Sequence, residues 1–84
     1  MKHRAMPEFW EKYRSLPEHI QKLADKNFEL LKSDSEHPSL RFKKVGILWS
    51  ARVGVHYRVL ARQRGDEMHW FWIGHHAEYD RFLG

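Results

Sequence analysis

Arginine, histidine and tyrosine side chains are concentrated in the C-terminal half of this 84-residue chain. Arg52 and Arg58 flank Gly54, a residue that favours a tight turn. If the chain turns there, the two arginines lie on neighbouring strands and approach each other. Guanidinium groups present forked donors that match phosphate oxygens, so the pair could hold a phosphodiester and stabilise a pentavalent transition state. The spacing alone fits equally well with two solvated arginines on an exposed sheet face.

A second group of reactive side chains follows, namely His75, His76 and Tyr79. Histidine titrates near neutrality and can act as a general acid or base. A tyrosine near arginines can act as a base or stack on a nucleobase. Because alternate residues of a strand point to opposite faces, we expect one of the adjacent histidines to face the arginines and the other to have a structural role.

A metal site is the alternative interpretation of the adjacent histidines. Neighbouring histidines rarely bind one ion, and no cysteine or clear carboxylate pattern accompanies them. The sequence therefore predicts no metal site, and no motif indicates a cofactor. The other histidines show no motif and are expected to lie on the surface or to fill space: His3, His19, His37, His56 and His69.

Further basic residues lie on either side of the arginine pair. Arg41, Lys43 and Lys44 precede it, and Arg62 follows it. Such side chains position a nucleic-acid backbone without reading its sequence, although each one alone is more often a solvated surface charge. The formal net charge of +4 favours a polyanionic partner or an acidic protein. We therefore expect these four residues to contact RNA.

The length is that of one small domain, residues 1–84. The absence of cysteine excludes disulfides and thiolate zinc sites and fits a reducing cytoplasm. No apolar run approaches the ~20 residues that span a bilayer, and no signal peptide is predicted. We expect a cytoplasmic protein with no membrane partner. The sequence has no Gly-rich phosphate loop, no nucleophile elbow and no zinc-protease helix. Dehydrogenase or kinase chemistry would not fit in 84 residues.

The N-terminal half has helical periodicity. Pro7 suits the first turn of a helix, and apolar residues follow it at helical spacing. Ser15 and Glu18 fit a capping box, so a second helix is predicted to start there and to end near residues 33–35. The two helices predict an α-hairpin that covers one face of a sheet. Residues 2–6 are predicted to be a short edge strand of that sheet or an irregular start.

The C-terminal half alternates between apolar and polar residues. Alternation over residues 49–61 predicts β-structure with one buried face and one mostly cationic face. A strand is predicted to begin near Leu40, and an apolar central strand over residues 68–73 is predicted to end at Gly74. Residues 77–83 form a short helix or an irregular tail. The predicted class is α+β, with an N-terminal α-hairpin packed on a three- to four-stranded, mostly antiparallel sheet.

Four stretches resemble the RelE/ParE superfamily, the toxins of bacterial type II toxin–antitoxin systems. They are Pro38-Ser-Leu-Arg-Phe-Lys-Lys-Val45, Leu48-Trp-Ser-Ala-Arg-Val-Gly54, Tyr57-Arg-Val-Leu60 and Trp70-Phe-Trp-Ile-Gly-His-His-Ala-Glu-Tyr-Asp80. The helical half also resembles the α-hairpin of that family, so the resemblance covers nearly the whole chain. The pattern is fairly specific in so small a protein, but it does not separate the sub-families.

The resemblance implies a microbial-RNase-like fold and a metal-independent mRNA endonuclease that acts on the ribosome and inhibits translation. In RelE-like members the 2′-hydroxyl of the RNA attacks the adjacent phosphorus. By resemblance, Arg58 and Arg52 would bind the scissile phosphate. His75 or His76 would be the general acid for the leaving 5′-oxygen, and Tyr79 would stack on a base or assist proton transfer. The implied partners are the ribosome, mRNA and a cognate antitoxin, which would form a hetero-oligomer with the toxin.

The chain departs from the family's pattern at the general base. Some members carry a glutamate upstream of the sheet, whereas the nearest carboxylate here is Glu36. Others use two lysines at the positions of Trp49 and Ala51, which Lys43 and Lys44 could replace if the sheet curves them inward.

Two alternatives remain open. One is a ParE-like toxin that binds gyrase and is not an enzyme, and the other is a catalytically degenerate antitoxin-binding module. The presence of both arginines, a histidine and the late tyrosine favours ribonuclease action.

Overall fold

The computed structural model of the protein describes residues 1–83. Within them, a first strand and two helices are followed by four consecutive strands and a last helix, an α+β arrangement. In chain order the elements are β1 (Lys2–Ala5), α1 (Pro7–Arg14), α2 (Glu18–Ser33), a 3₁₀ turn (Pro38–Leu40), β2 (Lys43–Val45), β3 (Leu48–Val53), β4 (Tyr57–Arg64), β5 (Glu67–His75) and α3 (His76–Leu83). No helix in this part of the chain has the length and apolar character needed to cross a membrane.

Within residues 1–83, five strands form one sheet in the order β1-β5-β4-β3-β2. Strands β2 to β5 pair antiparallel in sequence order, and β1 pairs parallel with β5. The backbone N–H of Lys2 donates to Asp66 at 3.0 Å and that of Met6 donates to Trp70 at 2.8 Å, which extends the ladder at both ends of β1. Of the two alternatives for residues 2–6, the edge strand of the same sheet is confirmed, and β1 brings the sheet to five strands where three or four were predicted.

One face of the sheet is covered by α1 and α2. Apart from the exposed Val55, the apolar residues of the predicted alternation form a core there with side chains from both helices. This confirms the predicted buried face and the role of the α-hairpin. Trp70 is 1% exposed at its centre, and its Nε1 donates to Nδ1 of His3 at 3.0 Å. Burial lowers the pKa of His3, with smaller contributions from the N-terminal amine and Lys32, so the imidazole is a neutral acceptor.

The opposite face carries a second, smaller core. Leu60 and Trp72 pack there against Tyr79 of α3. This face was predicted to be mostly cationic, but its end beneath α3 is apolar. A Cβ at Gly74 would lie 2.5 Å from Cζ2 of Trp72, so the glycine leaves room for the indole. The strand continues through Gly74 to His75, and the prediction that Gly74 ends it is wrong.

Two other local predictions are also corrected. The Oγ of Ser15 donates to the carbonyl of Lys12 at 2.8 Å and so closes α1, and α2 begins after Pro17 with no side-chain cap. The predicted capping box is therefore wrong. Leu40 lies in the 3₁₀ turn and is fully buried, and the strand predicted to begin near it starts only at Lys43. A proline at the first turn position favours this geometry over an extended start.

Candidate functional site

A pocket opens on the sheet face that α1 and α2 leave uncovered. It encloses about 580 Å³ including its open mouth, which is within the range of small-ligand sites. Among the described residues, no carboxylate side chain lines it. The lining comes from the start of β2, from β3, β4 and α3, and from the residue after the 3₁₀ turn: Arg41, Lys43, Ser50, Ala51, Arg52, Arg58 and Tyr79.

Arg52 and Arg58 lie directly opposite each other in the β3–β4 ladder, on either side of the predicted turn. Nη1 of Arg58 donates to the carbonyl oxygens of Tyr57 at 2.8 Å and Val55 at 3.1 Å, which holds the guanidinium against the turn. Burial and the neighbouring charge of Arg52 lower the pKa of Arg58. Two like charges held this close repel each other, and an anion bound between them would offset that repulsion.

Nε of Arg52 is a buried donor with no hydrogen-bond partner within residues 1–83. Such groups are uncommon because a buried, unpaired donor loses its hydration without replacement. The backbone of the same residue is held firmly, since its carbonyl accepts a hydrogen bond from Nδ2 of Asn27 at 3.1 Å and so joins β3 to α2. An oxyanion in the pocket can accept this bond only after the Arg52 side chain turns Nε toward the pocket.

Arg41 reaches the pocket through an unusual backbone conformation. Its φ is 45°, in the left-handed region that residues other than glycine rarely adopt. The residue closes the 3₁₀ turn, and its N–H donates to the carbonyl of Pro38 at 3.3 Å. Backbone strain of this kind is often found at functional positions, and here it places a third guanidinium on the pocket lining.

Two hydroxyl groups complete the lining described within residues 1–83. Tyr79 is 8% exposed and lies in the first turns of α3, which pack on the second core. Ser50 is 3% exposed and was not identified from the sequence. A signal for it was present, because Ser50 and Arg52 alternate along β3 and therefore share a face.

The predicted histidines do not line this pocket. His75 is opposite Tyr57 in the β4–β5 ladder and shares the helix-covered face with it, with ring centroids 5.6 Å apart. His76 begins α3 and lies beside His56, a histidine expected to fill space, with centroids 6.0 Å apart. The three imidazoles therefore lie outside the pocket lining and gather at the end of β5, beside the β3–β4 turn.

The predicted RNA-binding cations are divided among three places. Arg41 and Lys43 line the pocket. Lys44 is opposite Trp49 in the β2–β3 ladder, on the helix-covered face. Arg62 lies with its guanidinium 3.9 Å from the centre of the Phe71 ring, outside the pocket lining. The pocket therefore combines one predicted arginine pair, one tyrosine and two of the four predicted RNA-binding residues.

Solved structures from several organisms share this fold. The RelB–RelE antitoxin–toxin complex from Methanococcus jannaschii contains a chain with a TM-score of 0.71 and 21% identity, covering 95% of this chain and 98% of that one. The YoeB/ParE toxin from Agrobacterium tumefaciens has a TM-score of 0.67 and 14% identity, and the match covers 90% of this chain and 99% of that one. The isolated E. coli RelE toxin has a TM-score of 0.63 and 8% identity, and the match covers 99% of this chain and 98% of that one. A comparison with curated protein sequences gave no match.

The architecture defines a class: a small α+β domain with an α-hairpin on one sheet face and a cationic pocket on the other. The fold is that of the RelE-like toxins, as the structural similarities show. The family profile of the ParE-like toxin domain matches residues 18–81. The chain belongs to this family of toxin domains, and both the resemblance to the RelE/ParE superfamily and the predicted fold class are confirmed.

Proposed function

We propose that this toxin domain is a metal-independent endoribonuclease that cuts mRNA on the ribosome and so inhibits translation. The observation that carries the proposal is the pairing of Arg52 with Arg58 in a pocket with no carboxylate lining among the described residues. A phosphodiester is the anion that this arrangement fits best.

The chemistry follows from the lining. The RNA 2′-oxygen forms a bond to phosphorus while the bond to the 5′-oxygen breaks, which leaves a 2′,3′-cyclic phosphate. Arg52 and Arg58 neutralise the charge that builds up on the phosphorus oxygens. Oη of Tyr79 can relay the 2′-hydroxyl proton to water, and the ammonium of Lys43 can protonate the leaving 5′-oxygen. In this assignment Lys43 is the general acid, whereas the resemblance suggested it as a replacement for the missing general base.

The general-acid role that the resemblance implies for His75 or His76 stays a prediction. Their imidazoles lie outside the pocket lining, at the end of β5. Measuring cleavage by His75→Ala and His76→Ala beside Tyr79→Phe and Lys43→Ala would decide which groups transfer protons.

We further propose that the toxin works in the cytoplasm and is held inactive by a cognate antitoxin. The similar chain from Methanococcus jannaschii comes from a complex of toxin with antitoxin. Trp10 is 40% exposed and Phe82 is 51% exposed, which leaves apolar surface for a partner to cover. An antitoxin segment that joins acidic and apolar residues would cover these rings and neutralise the pocket.

Gyrase binding without catalysis is the second candidate function. Two observations favour it: the matching family profile is that of ParE-like domains, and the pocket lining offers no carboxylate as general base among the described residues. A catalytically degenerate antitoxin-binding module would share the second observation. These alternatives predict a folded protein that leaves mRNA intact.

Primer extension on a defined mRNA in a purified translation system tests the proposal. Cuts that require both ribosomes and Arg58 would support the endonuclease. The matched control is Arg64→Ala, which removes the same charge from the far end of β4. If the folded wild-type protein makes no cuts, or if Arg58→Ala cuts as well as wild type, the proposed site is wrong. Inhibition of gyrase supercoiling would then identify the second function.

A further inference from the structure

We propose that His56, His75 and His76 form a binding site for a divalent transition-metal ion. One ring nitrogen from each of the three side chains lies within 4.8 Å of the others. The site is separate from the arginine pocket, shares no lining residue with it, and does not depend on the proposed ribonuclease activity. It was not anticipated from the sequence, because His56 lies nineteen positions before His75 and belongs to no motif.

The fold brings the three residues together through backbone contacts that do not involve the imidazoles. His56 lies in the turn between β3 and β4, and its carbonyl accepts a hydrogen bond from the N–H of His76 at 2.8 Å. The residue after it, Tyr57, is opposite His75 in the β4–β5 ladder. The β3–β4 turn is therefore fixed against the junction of β5 and α3.

Adjacent histidines were expected to point to opposite faces. That expectation holds within a continuous strand, but β5 ends at His75 and α3 begins at His76. The change of backbone conformation between the two residues brings their rings to a centroid separation of 4.4 Å. His56 lies 5.8 Å and 6.0 Å from these two rings. The objection that neighbouring histidines rarely share an ion therefore does not apply at this junction.

The donor set and its spacing suit zinc, copper or nickel. Zinc binds imidazole nitrogen at about 2.0–2.1 Å, so two such ligands in a tetrahedral site lie about 3.4 Å apart. The ring nitrogens now lie within 4.8 Å of one another, so each pair must approach by at most about 1.4 Å. Rotation of these exposed or half-buried side chains allows that approach. Three neutral imidazoles leave the remaining coordination positions to water.

One hydrogen bond must be given up for this rotation. Nδ1 of His75 accepts from the backbone N–H of Ala77 at 3.2 Å, so the neutral ring carries its proton on Nε2. Binding an ion through Nδ1 displaces that N–H, and binding through Nε2 moves the ring proton to Nδ1. In both cases the Ala77 N–H turns to water, as first-turn amides of helices can do.

Calorimetric titration with ZnCl₂ tests the site. We expect wild type to bind one zinc ion and each of His56→Ala, His75→Ala and His76→Ala to weaken binding at least tenfold. His19→Ala is the matched control, because it removes an exposed histidine from α2 and should leave the affinity unchanged. Zinc is the metal used for this titration because copper and nickel would also bind the terminal amine together with His3 in a preparation that starts at Met1.

Replacing zinc by Co²⁺ gives a second measurement, because imidazole coordination of low symmetry produces visible absorption bands. These bands should appear in wild type and His19→Ala and be lost in the three site variants. Circular dichroism checks that each variant is folded, and His→Gln substitutions replace any alanine variant that is not. Unchanged zinc affinity in the site variants, or equal weakening in His19→Ala, would overturn the proposal.

Discussion

Replacing Arg58 by alanine should weaken binding of single-stranded RNA by about 10- to 150-fold. The range follows from the roughly 1.5–3 kcal/mol that a hydrogen bond to a charged group contributes. Arg58 is partly buried and faces Arg52 across the ladder, so water screens its contact with phosphate less than it would an exposed lysine. The slope of log affinity against log salt should also become shallower by about 0.7, the value for one phosphate contact on a single strand.

Fluorescence anisotropy with a labelled RNA that carries 2′-O-methyl groups gives both quantities without cleavage. Arg64→Ala is the control, since it removes the same charge from the same strand at an exposed position outside the pocket. Arg58→Lys should keep the salt slope and lose part of the affinity, because an ammonium lacks the guanidinium fork. Equal losses of affinity and equal salt slopes for Arg58→Ala and Arg64→Ala would show that net charge alone governs binding and that the pocket does not bind phosphate specifically.

Arg58→Ala also has a structural cost that must be measured separately. The side chain donates to two carbonyl oxygens of the β3–β4 turn, and losing these bonds should lower the free energy of unfolding by about 1–2 kcal/mol. In a domain of this size that lowers the midpoint of thermal unfolding by roughly 4–8 °C per kcal/mol. Binding is therefore compared at a temperature where both variants are folded.

Three further predictions concern stability. The pKa of His3 is lowered, and its ring accepts a hydrogen bond from Trp70. As the pH falls below about 6.5, His3 is therefore protonated in the unfolded state before the folded state, and the free energy of unfolding decreases. Thermal unfolding at pH 8 and pH 5 should show a smaller loss for His3→Asn than for wild type, and an equal loss would contradict this account. Gly74→Ala should lower the free energy of unfolding in urea by about 1–3 kcal/mol because its methyl group meets Trp72. In a Trp72→Leu background the same substitution should cost much less, and additive effects of the two substitutions would refute the contact. Arg41→Gly should be about 1 kcal/mol more stable than Arg41→Ala, with equally weakened RNA binding, because only glycine relieves the positive φ; equal stability would show that the residue is unstrained.

Periodicity predicted the larger part of the fold. The alternation over residues 49–61 gave the buried face correctly because its alternate apolar side chains, apart from the exposed Val55, belong to the core beneath α1 and α2. It could not predict that Leu60 and Trp72 form a second core, since that depends on where α3 docks. The end of β5 was misplaced because Gly74 is needed for the Trp72 indole and not for a turn.

The candidate site was only partly accessible to sequence reasoning. The turn at Gly54 was enough to place Arg52 opposite Arg58. Ser50 could have been found from its alternation with Arg52, whereas Arg41 needed a backbone conformation that its residue type disfavours. The position of His56 beside two later histidines depends on pairing between strands, which no local pattern encodes.

The pairing of β1 with β5 has a consequence for how the chain folds. Lys2 lies opposite Glu67, so β1 can pair only after β5 has been synthesised. Strands β3 to β5 form a meander of local contacts that can assemble early, whereas docking of β1 closes a loop of most of the chain and comes at a high entropic cost. We expect β1 to join last during synthesis. Until β1 pairs, the backbone N–H and C=O groups at the edge of β5 are free to bind a strand of another chain. The nascent toxin is therefore more prone to aggregate than the folded protein.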